Sequence, residues 1–230
     1  MIQIYQYENT AKIKGLYLSS VWEEESTSGR RGKKGSSLLL MTAPEVAGPC
    51  AEAEQVHGGV IKEVSAPGLY RGCDGLITNR PGLPLVIRTA DCAAVVLFHP
   101  RKKWLANLHA GWRGARAGIH QNGLKKLLER SGGSAAEVFA WVSPCIHPCC
   151  YRVGGEFMDY FDAKYLPEKH GRLYFDLPQN LLDGLREMGL PPGNIAVAGE
   201  CTHCGEMNFP SYRRNKTANR LYTVAKIEEE

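Results

Sequence analysis

The chain has 230 residues, with 28 lysines and arginines against 24 aspartates and glutamates, which gives a formal net charge of +4. Hydrophobic residues make up 43% and charged residues 23%, a composition that excludes a disordered, collagen-like or coiled-coil protein. The basic residues form no run longer than the Arg30, Arg31, Lys33 and Lys34 cluster, so they offer no extended surface for nucleic acid. We therefore expect one globular domain over residues 1–230 without a nucleic-acid partner.

Apolar runs and the N-terminal segment bear on location. The longest apolar run, Cys92 to Phe98, has seven residues, against the roughly 20 that cross a bilayer. The N-terminal residues have neither a basic start with an apolar core nor a small-residue cleavage site. These features predict a cytoplasmic protein with no membrane partner, whose eight cysteines serve as thiols, ligands or core residues rather than as disulfides.

The first half of the chain is predicted to be rich in strands. After an N-terminal hairpin-like segment, residues 23–37 are polar and dotted with glycine, which predicts a mobile loop. Short apolar runs then predict six strands before the first helix. They are Ser37–Thr42, Val60–Val64, Gly75–Thr78, Leu85–Thr89, Ala93–Phe98 and Trp104–Leu108.

Helices and strands alternate in the second half. The apolar stripe of Ala117, Leu124, Leu127 and Leu128 predicts a helix over residues 114–130. The mixture of elements indicates an α/β or α+β fold. The other predicted elements are helical segments at residues 155–165 and 178–188 and strands at Val138–Val142, Leu173–Asp176, Ile195–Ala198 and Leu221–Ala225.

Three motifs each place one metal-binding side chain at the edge of a predicted strand. His57 stands in QVHG, Cys92 in TADC and His109 in LHAGWRG, 35 and 17 positions apart. This spacing is too long for a zinc finger, so the fold would have to bring the ligands together. Two imidazoles and one thiolate are a ligand set for a catalytic Zn²⁺ with one open position. The alternative is that His57 caps a turn, Cys92 fills the core and His109 makes a core hydrogen bond.

Glycines and arginines suggest where an anion would bind. Gly111 and Gly114 flank Arg113 at a strand-to-helix junction, where backbone N–H groups and a guanidinium favour phosphate. The alternative is a tight turn with a solvated arginine, and the glycine pattern is not that of a nucleotide P-loop. Arg213 and Arg214 follow an aromatic residue and form either a solvated face or a contact to an anionic substrate.

A second group of cysteines offers a competing metal site. Cys201 and Cys204 have the spacing of one half of a zinc ribbon, and Cys145, Cys149 and Cys150 lie in SPCIHPCCY. A second Cys-x-x-Cys pair is missing, which favours buried thiols in tight turns over a structural zinc.

Together these segments resemble the multicopper polyphenol oxidase (laccase) domain family, also described as YfiH-like, over about residues 55–225. Cys73 and Ser143 stand where the family usually has alanine and glycine, and the segment before Gln55 lacks the usual family pattern, but the three candidate ligands match. The matching motifs are QVHG (55–58), CDGLIT (73–78), TADC (89–92), HAGWRG (109–114), SPCIHPCCYRVG (143–154), CTHCGEMNFPSYRR (201–214) and Asn219-Arg220.

The resemblance implies a fold, a metal and an activity. The fold is a four-layer α/β/β/α sandwich, and the metal is zinc held by His57, Cys92 and His109. The activity is that of a purine nucleoside phosphorylase, a glycosyltransferase that acts on adenosine, inosine or methylthioadenosine with phosphate, with adenosine deamination as a second activity of the zinc site. Asp74 or Asp91 would orient a ligand imidazole or serve as a base. We expect a monomer or a weak homo-oligomer.

Three other functions use the same residues differently. Copper-dependent phenol oxidation is disfavoured, because the seven histidines include no paired His-x-His ligands. A metal-free cysteine hydrolase would use Cys92 as the nucleophile and His109 or His57 as its base. A zinc-stabilised binding module would unfold when the metal is removed. Metal content and thiol alkylation separate these alternatives.

Overall fold

The described residues form two six-stranded sheets and one two-stranded sheet. The computed structural model describes residues 2–6, 16–23 and 49–229. The strands are β1 Ile2–Gln6, β2 Leu16–Glu23, β3 Ala51–Ala53, β4 Ile61–Glu63, β5 Gly68–Tyr70, β6 Gly75–Thr78, β7 Leu85–Thr89, β8 Ala93–His99, β9 Trp104–Ala110, β10 Phe139–Val142, β11 Glu168–Lys169, β12 Arg172–Leu173, β13 Ile195–Val197 and β14 Leu221–Ile227.

Helices are short and lie mostly in the second half. The α-helices are α1 Trp112–Arg116, α2 Ile119–Ser131, α3 Leu177–Glu187 and α4 Tyr212–Asn215, and the 3₁₀ segments are Ala135–Glu137, Gly155–Asp159, Ala163–Tyr165 and Pro192–Asn194. The described residues include no helix that is both long and apolar enough to cross a membrane.

The strand order places the C-terminal strand at the middle of one sheet. The first sheet has the order β1-β2-β14-β7-β3-β5, and the second has the order β13-β10-β8-β9-β6-β4. The antiparallel pairing of β1 with β2 confirms the predicted N-terminal hairpin. In the second sheet, β8 and β9 are antiparallel and every residue of both strands is buried, which explains their nearly continuous apolar sequences.

Strand β8 separates two hydrophobic cores. Val96 and Phe98 pack between the sheets against Leu85 and Ile87 of β7. The alternate side chains, Val95 and Leu97, belong to a second cluster with the buried faces of helices α2 and α3, because successive side chains of a strand point to opposite sides. The mixed α/β class is therefore confirmed. The described residues show one helical layer over two sheets, and a fourth layer remains a prediction.

The predicted helix over residues 114–130 is wrong in its limits. The chain instead forms the five-residue α1 and then starts α2 at Ile119, because Gly118 between them takes a left-handed conformation with φ 67°. This break rotates the buried face. Ile119 is fully buried, whereas Ala117, which was predicted to face the core, is exposed.

Other boundaries differ for local reasons. The predicted helix at residues 155–165 is two 3₁₀ segments. The predicted strand Leu173–Asp176 ends at Leu173, and the Asp176 side chain caps helix α3 by accepting a hydrogen bond from the Gln179 amide. Strands β6 and β7 have their predicted limits. The strand Ser37–Thr42 and nearly all of the loop at residues 23–37 lie outside the described residues.

Candidate metal centre

Three predicted ligands converge from three separate segments. His57 lies between β3 and β4, Cys92 immediately precedes β8, and His109 lies in β9. One ligand atom of each lies within 4.8 Å of the others, and the two imidazole centroids are 4.9 Å apart at an interplanar angle of 85°. His57 is exposed and His109 is buried. Two imidazoles and one thiol fit Zn²⁺ and leave one position for water or substrate.

Asp74 holds the His57 and His109 segments of this cluster together. Its Oδ1 lies 2.8 Å from His109 Nδ1 and accepts a hydrogen bond of 2.8 Å from the His57 amide. Its Oδ2 accepts hydrogen bonds from the amides of Gly58 at 2.6 Å and Val56 at 3.3 Å. A carboxylate that accepts the Nδ1 proton leaves Nε2 of His109 as the free ligand atom, which is the usual arrangement behind a metal-bound imidazole.

Charge within the cluster favours the metal-binding form of the thiol. Burial raises the pKa of Cys92, but hydrogen bonds from the His109 and His57 imidazoles outweigh it and lower the pKa to about 6. Burial lowers the pKa of His109, but its hydrogen bonds with Asp74 and Cys92 raise it to about 9. For Asp74, burial raises the pKa, and the hydrogen bonds from His109 and the Gly58 amide bring it below its usual value. The thiolate that results is the species that binds metal.

Two glycines permit the close packing around the cluster. The β8–β9 register pairs Ala93 with Ala110, which sets Cys92 beside Gly111. A Cβ at Gly111 would lie 2.7 Å from Cys92 Sγ, and a Cβ at Gly114 would lie 3.0 Å from the His109 carbonyl oxygen. Both glycines are therefore required for the approach of α1 to the cluster.

A cavity of about 520 Å³ is linked to the cluster through two of its lining residues, Trp112 and Arg213, while the three ligands themselves do not line it. Trp112 follows Gly111 directly, and the Arg213 amide donates a 2.7 Å hydrogen bond to Asp91, the neighbour of Cys92. Arg113 is exposed, and its guanidinium carbon lies 4.3 Å from the centroid of the Trp112 ring. The lining residues are Trp112, Arg152, Val153, Gly154, Glu156, Phe157 and Arg213.

Asp91 and Arg214 make hydrogen bonds to the loop at residues 202–209. Asp91 is buried with φ 85°, and besides the Arg213 amide it accepts a 2.9 Å hydrogen bond from the Thr202 hydroxyl. Arg214 donates to the carbonyls of Thr202, His203 and Phe209 at 3.1, 3.2 and 2.7 Å. The structure thus places Arg213 at the cavity and Arg214 against the 202–209 loop.

Sequence reasoning missed part of the cavity and misjudged the cysteines. Arg152 and Glu156 were not singled out, although both lie in or next to the YRVG motif. The expected buried thiols are wrong for Cys149 and Cys204, which are exposed. Their sulfurs and those of Cys150 and Cys201 all lie within 4.8 Å of one another.

Comparison with known proteins places the chain in a family. The sequence model described as "Multi-copper polyphenol oxidoreductase laccase" matches residues 36–228. A protein of Aquifex aeolicus named purine nucleoside phosphorylase is 39% identical over 154 residues, covering 67% of this chain and 70% of the relative. The Escherichia coli protein named purine nucleoside phosphorylase YfiH is 33% identical over 175 residues, covering 73% and 70%.

Solved structures share the fold. The Bacillus licheniformis hypothetical protein YfiH aligns with a TM-score of 0.73 at 28% identity, covering 77% of this chain and 74% of that one. YlmD from Geobacillus stearothermophilus aligns with a TM-score of 0.80 at 24% identity, covering 94% and 93%. From the sequence match over most of its length and this shared fold, the chain belongs to the multi-copper polyphenol oxidoreductase laccase family.

Proposed function

We propose that this protein is a zinc-dependent purine nucleoside phosphorylase. The observation that carries the proposal is the convergence of His57, Cys92 and His109 within 4.8 Å, and a cavity lined by two arginines, one of which bonds the neighbour of Cys92, supports it. The names of the relatives support the reaction class. The substrates are adenosine, inosine or methylthioadenosine with phosphate, and the products are the free base and the ribose 1-phosphate.

The metal cluster suits Zn²⁺ better than copper chemistry. A bound Zn²⁺ would supply a Lewis acid for polarising an oxygen of substrate or water. His57, Cys92 and His109 would hold it, and Asp74 would fix the His109 ring through Nδ1. The described residues contain one further cluster of metal-ligand type, and its members are all cysteines, so the several imidazole-rich sites of a multicopper oxidase are not found there.

The cavity offers binding groups for both substrates. Its volume of about 520 Å³ is within the range of roughly 300–1,000 Å³ typical of small-molecule sites. Trp112 and Phe157 supply aromatic surface for a purine. Arg152 and Arg213 would bind phosphate, and Arg113 beside Trp112 would add charge near that site. In the reaction the bond from ribose C1 to the base nitrogen breaks, a phosphate oxygen bonds to C1, and the base leaves with a proton.

Product analysis tests this proposal. The purified protein is incubated with each nucleoside with and without phosphate, and the bases, ribose 1-phosphate and ammonia are separated and measured. We expect release of base and ribose 1-phosphate only when phosphate is present, and loss of activity on zinc chelation with recovery on adding zinc. Ammonia and inosine from adenosine without phosphate would establish the deaminase activity instead. Base release that is independent of phosphate contradicts phosphorolysis.

The same assay separates a cysteine hydrolase from a zinc enzyme, because Cys92 also lies within reach of two imidazoles. A cysteine nucleophile keeps its activity after chelation and loses it on alkylation, whereas a zinc-bound thiolate is protected from alkylation until zinc is removed. Residual activity in chelated protein that alkylation of Cys92 abolishes would replace the zinc mechanism with the hydrolase.

Two adjacent arginines provide a matched test of the phosphate site. Arg213→Ala should raise the KM for phosphate by about 10-fold or more, since a charge-assisted contact contributes roughly 1.5–3 kcal/mol. Arg214→Ala removes donors to three backbone carbonyls and should lower Tm instead. An unchanged KM for phosphate in Arg213→Ala removes this residue from the site.

A further inference from the structure

The second thiol cluster lies on two turns that the fold brings together. Cys149 and Cys150 belong to a turn in which the amides of Cys150 and Tyr151 both donate to the His147 carbonyl, at 3.0 and 2.8 Å. Cys201 and Cys204 belong to the other turn. A parallel bridge between Cys145 and Cys201 and a 3.0 Å hydrogen bond from the Thr202 amide to the Cys145 carbonyl join the two turns.

The Cys201–Cys204 turn has backbone support for a thiolate. The His147 amide donates a hydrogen bond to Cys201 Sγ at 3.5 Å. The Gly205 amide donates to the Cys201 carbonyl at 2.8 Å, and a Cβ at Gly205 would lie only 2.6 Å from that oxygen. The turn therefore needs glycine directly after its second cysteine.

The spacing of the sulfurs fits one tetrahedral ion. Four thiolates around a zinc at about 2.3 Å lie about 3.8 Å from one another. Cys149 Sγ and Cys204 Sγ are 3.6 Å apart, and all four sulfurs lie within 4.8 Å of one another. All eight cysteines of the chain are free thiols in the structure. Tetrahedral sites with four sulfur ligands select zinc or iron.

We infer that Cys149, Cys150, Cys201 and Cys204 form a structural Zn²⁺ site, separate from the His57, Cys92 and His109 cluster. Its four protein ligands leave no position for substrate, so the ion stabilises structure and takes no part in the reaction. The site anchors the loop whose Thr202 hydroxyl bonds Asp91 and whose Thr202 and His203 carbonyls bind Arg214. Zinc would therefore hold this loop against the segment that carries Cys92.

Zinc stoichiometry in paired variants tests the inference. The full-length wild-type protein, prepared with zinc and then desalted, should contain two zinc ions per chain by elemental analysis. Cys204→Ser should contain one. The matched control Cys50→Ser changes a half-buried cysteine outside both clusters and should keep two. Cys204→Ser with the same zinc content as wild type overturns the inference.

The Cys92→Ala variant keeps this result independent of the proposed function. If Cys92→Ala loses no zinc and Cys204→Ser loses one, the first site fails and the thiol site stands. If Cys92→Ala loses one zinc and Cys204→Ser loses none, the thiol site fails and the proposed metal centre stands.

Alkylation of the wild-type protein covers the case in which Cys204→Ser does not fold. Cys149 and Cys204 are exposed, so without a metal both should react with iodoacetamide at the rate of free thiols. With zinc bound, peptide mapping should show both protected, and a strong chelator should release the protection. Rapid alkylation in zinc-loaded protein overturns the site. A Cys149–Cys204 disulfide that forms in the presence of zinc, or iron in place of zinc, overturns it as well.

Discussion

The two sulfur-containing clusters differ in what stands behind their ligands. The first cluster has one thiol and two imidazoles, and the Asp74 carboxylate orients one of those rings. The second has four thiols, and the His147 backbone amide donates a hydrogen bond to one of them, Cys201. A carboxylate makes an imidazole a better ligand, whereas amides stabilise a thiolate without adding charge. The support thus matches the ligand type in each cluster.

The surroundings of the two clusters differ as well. The segment that carries Cys92 bonds, through Asp91, to Arg213 in the lining of a cavity with arginine and aromatic side chains, and the three ligands of the first cluster leave room for a reacting group. The second cluster joins two turns and has four cysteine ligands, which is a full set for a tetrahedral ion. Ligand number and neighbouring space together separate a site for chemistry from a site for stability. Variants at Cys92 and Asp74 test the first cluster, and a variant at Gly205 tests the second.

The largest effect is expected from Cys92→Ala. Removing one of three ligands should empty the centre and lower nucleoside cleavage by about 10³-fold or more, because a catalytic metal contributes several kcal/mol to barrier lowering. The circular dichroism spectrum should stay that of a folded chain, since the two cores do not depend on this thiol. Product assays and zinc analysis measure the change, with Cys50→Ala as control. Retained cleavage in a zinc-depleted Cys92→Ala variant contradicts the proposed metal centre.

The sequence motifs predicted the three ligands of the first cluster, but they did not predict which carboxylate orients them. QVHG, TADC and HAGWRG each supplied the residue type that the structure brings to one point. The bond between Asp74 and His109 depends on the β6–β9 register, in which Gly75 pairs with Leu108. No local pattern predicts that pairing, so the roles of Asp74 and Asp91 could not be distinguished from sequence. In the structure Asp74 contacts His109, whereas Asp91 contacts Thr202.

The second cluster shows why the rest was not predictable. A search for two Cys-x-x-Cys pairs fails here, because the second pair of thiols is the adjacent Cys149 and Cys150. Contacts between distant parts of the chain, such as the parallel bridge between Cys145 and Cys201, set that pair beside the first. The limits of the secondary-structure elements were likewise predicted only where local sequence sets them. Continuous apolar strands such as β6 and β7 were predicted to the residue, while the helix after β9 was not, because Gly118 breaks it through a left-handed turn.

A buried histidine outside both clusters should contribute to the acid dependence of stability. His120 is buried against Gly184 of α3, and within the described residues its Nδ1 has no hydrogen-bond partner. Burial lowers its pKa from 6.5 to about 4. As pH falls through this window, the unfolded chain takes up a proton that the folded chain excludes, so stability is lost. The loss at pH 4 should be about 3 kcal/mol.

Denaturant unfolding of wild type and His120→Leu across this pH range checks the sign and the size of the loss in stability. The variant cannot bind that proton, so its free energy of unfolding should fall by about 3 kcal/mol less than that of wild type. Acid release of metal is common to both proteins and cancels in the difference. His170→Gln, at an exposed site, should follow the wild-type curve. Equal slopes for wild type and His120→Leu would show that His120 is protonated in the folded protein.

Asp74→Asn should weaken zinc binding at the first cluster only. The amide group can accept hydrogen bonds through one oxygen alone, so it cannot serve the His57 and Gly58 amides and also fix His109 Nδ1. Loss of such a supporting carboxylate typically costs about 10–100-fold in metal affinity or activity. Competition with a zinc chelator measures the affinity of each site. A weaker second site in Asp74→Asn would mean that the two clusters are not independent.

The smallest effect is expected at Gly205, and it tests the second side of the comparison. In Gly205→Ala the new Cβ would lie 2.6 Å from the Cys201 carbonyl oxygen, so the turn has to open. We expect a loss of about 1–2 kcal/mol of stability and weaker binding of one of the two zinc ions.

Gly199→Ala is the matched control for this change, because its Cβ would have no neighbour within 4 Å and it precedes the same turn. Cleavage activity under saturating substrate should change little in either variant, since Asp74, Cys92 and His109 are untouched. Thermal unfolding with and without a chelator separates the contributions. If zinc stabilises the turn, the Tm difference between Gly205→Ala and Gly199→Ala should shrink once metal is removed from both. A Tm difference that chelation leaves unchanged would assign the effect of Gly205 to backbone packing alone.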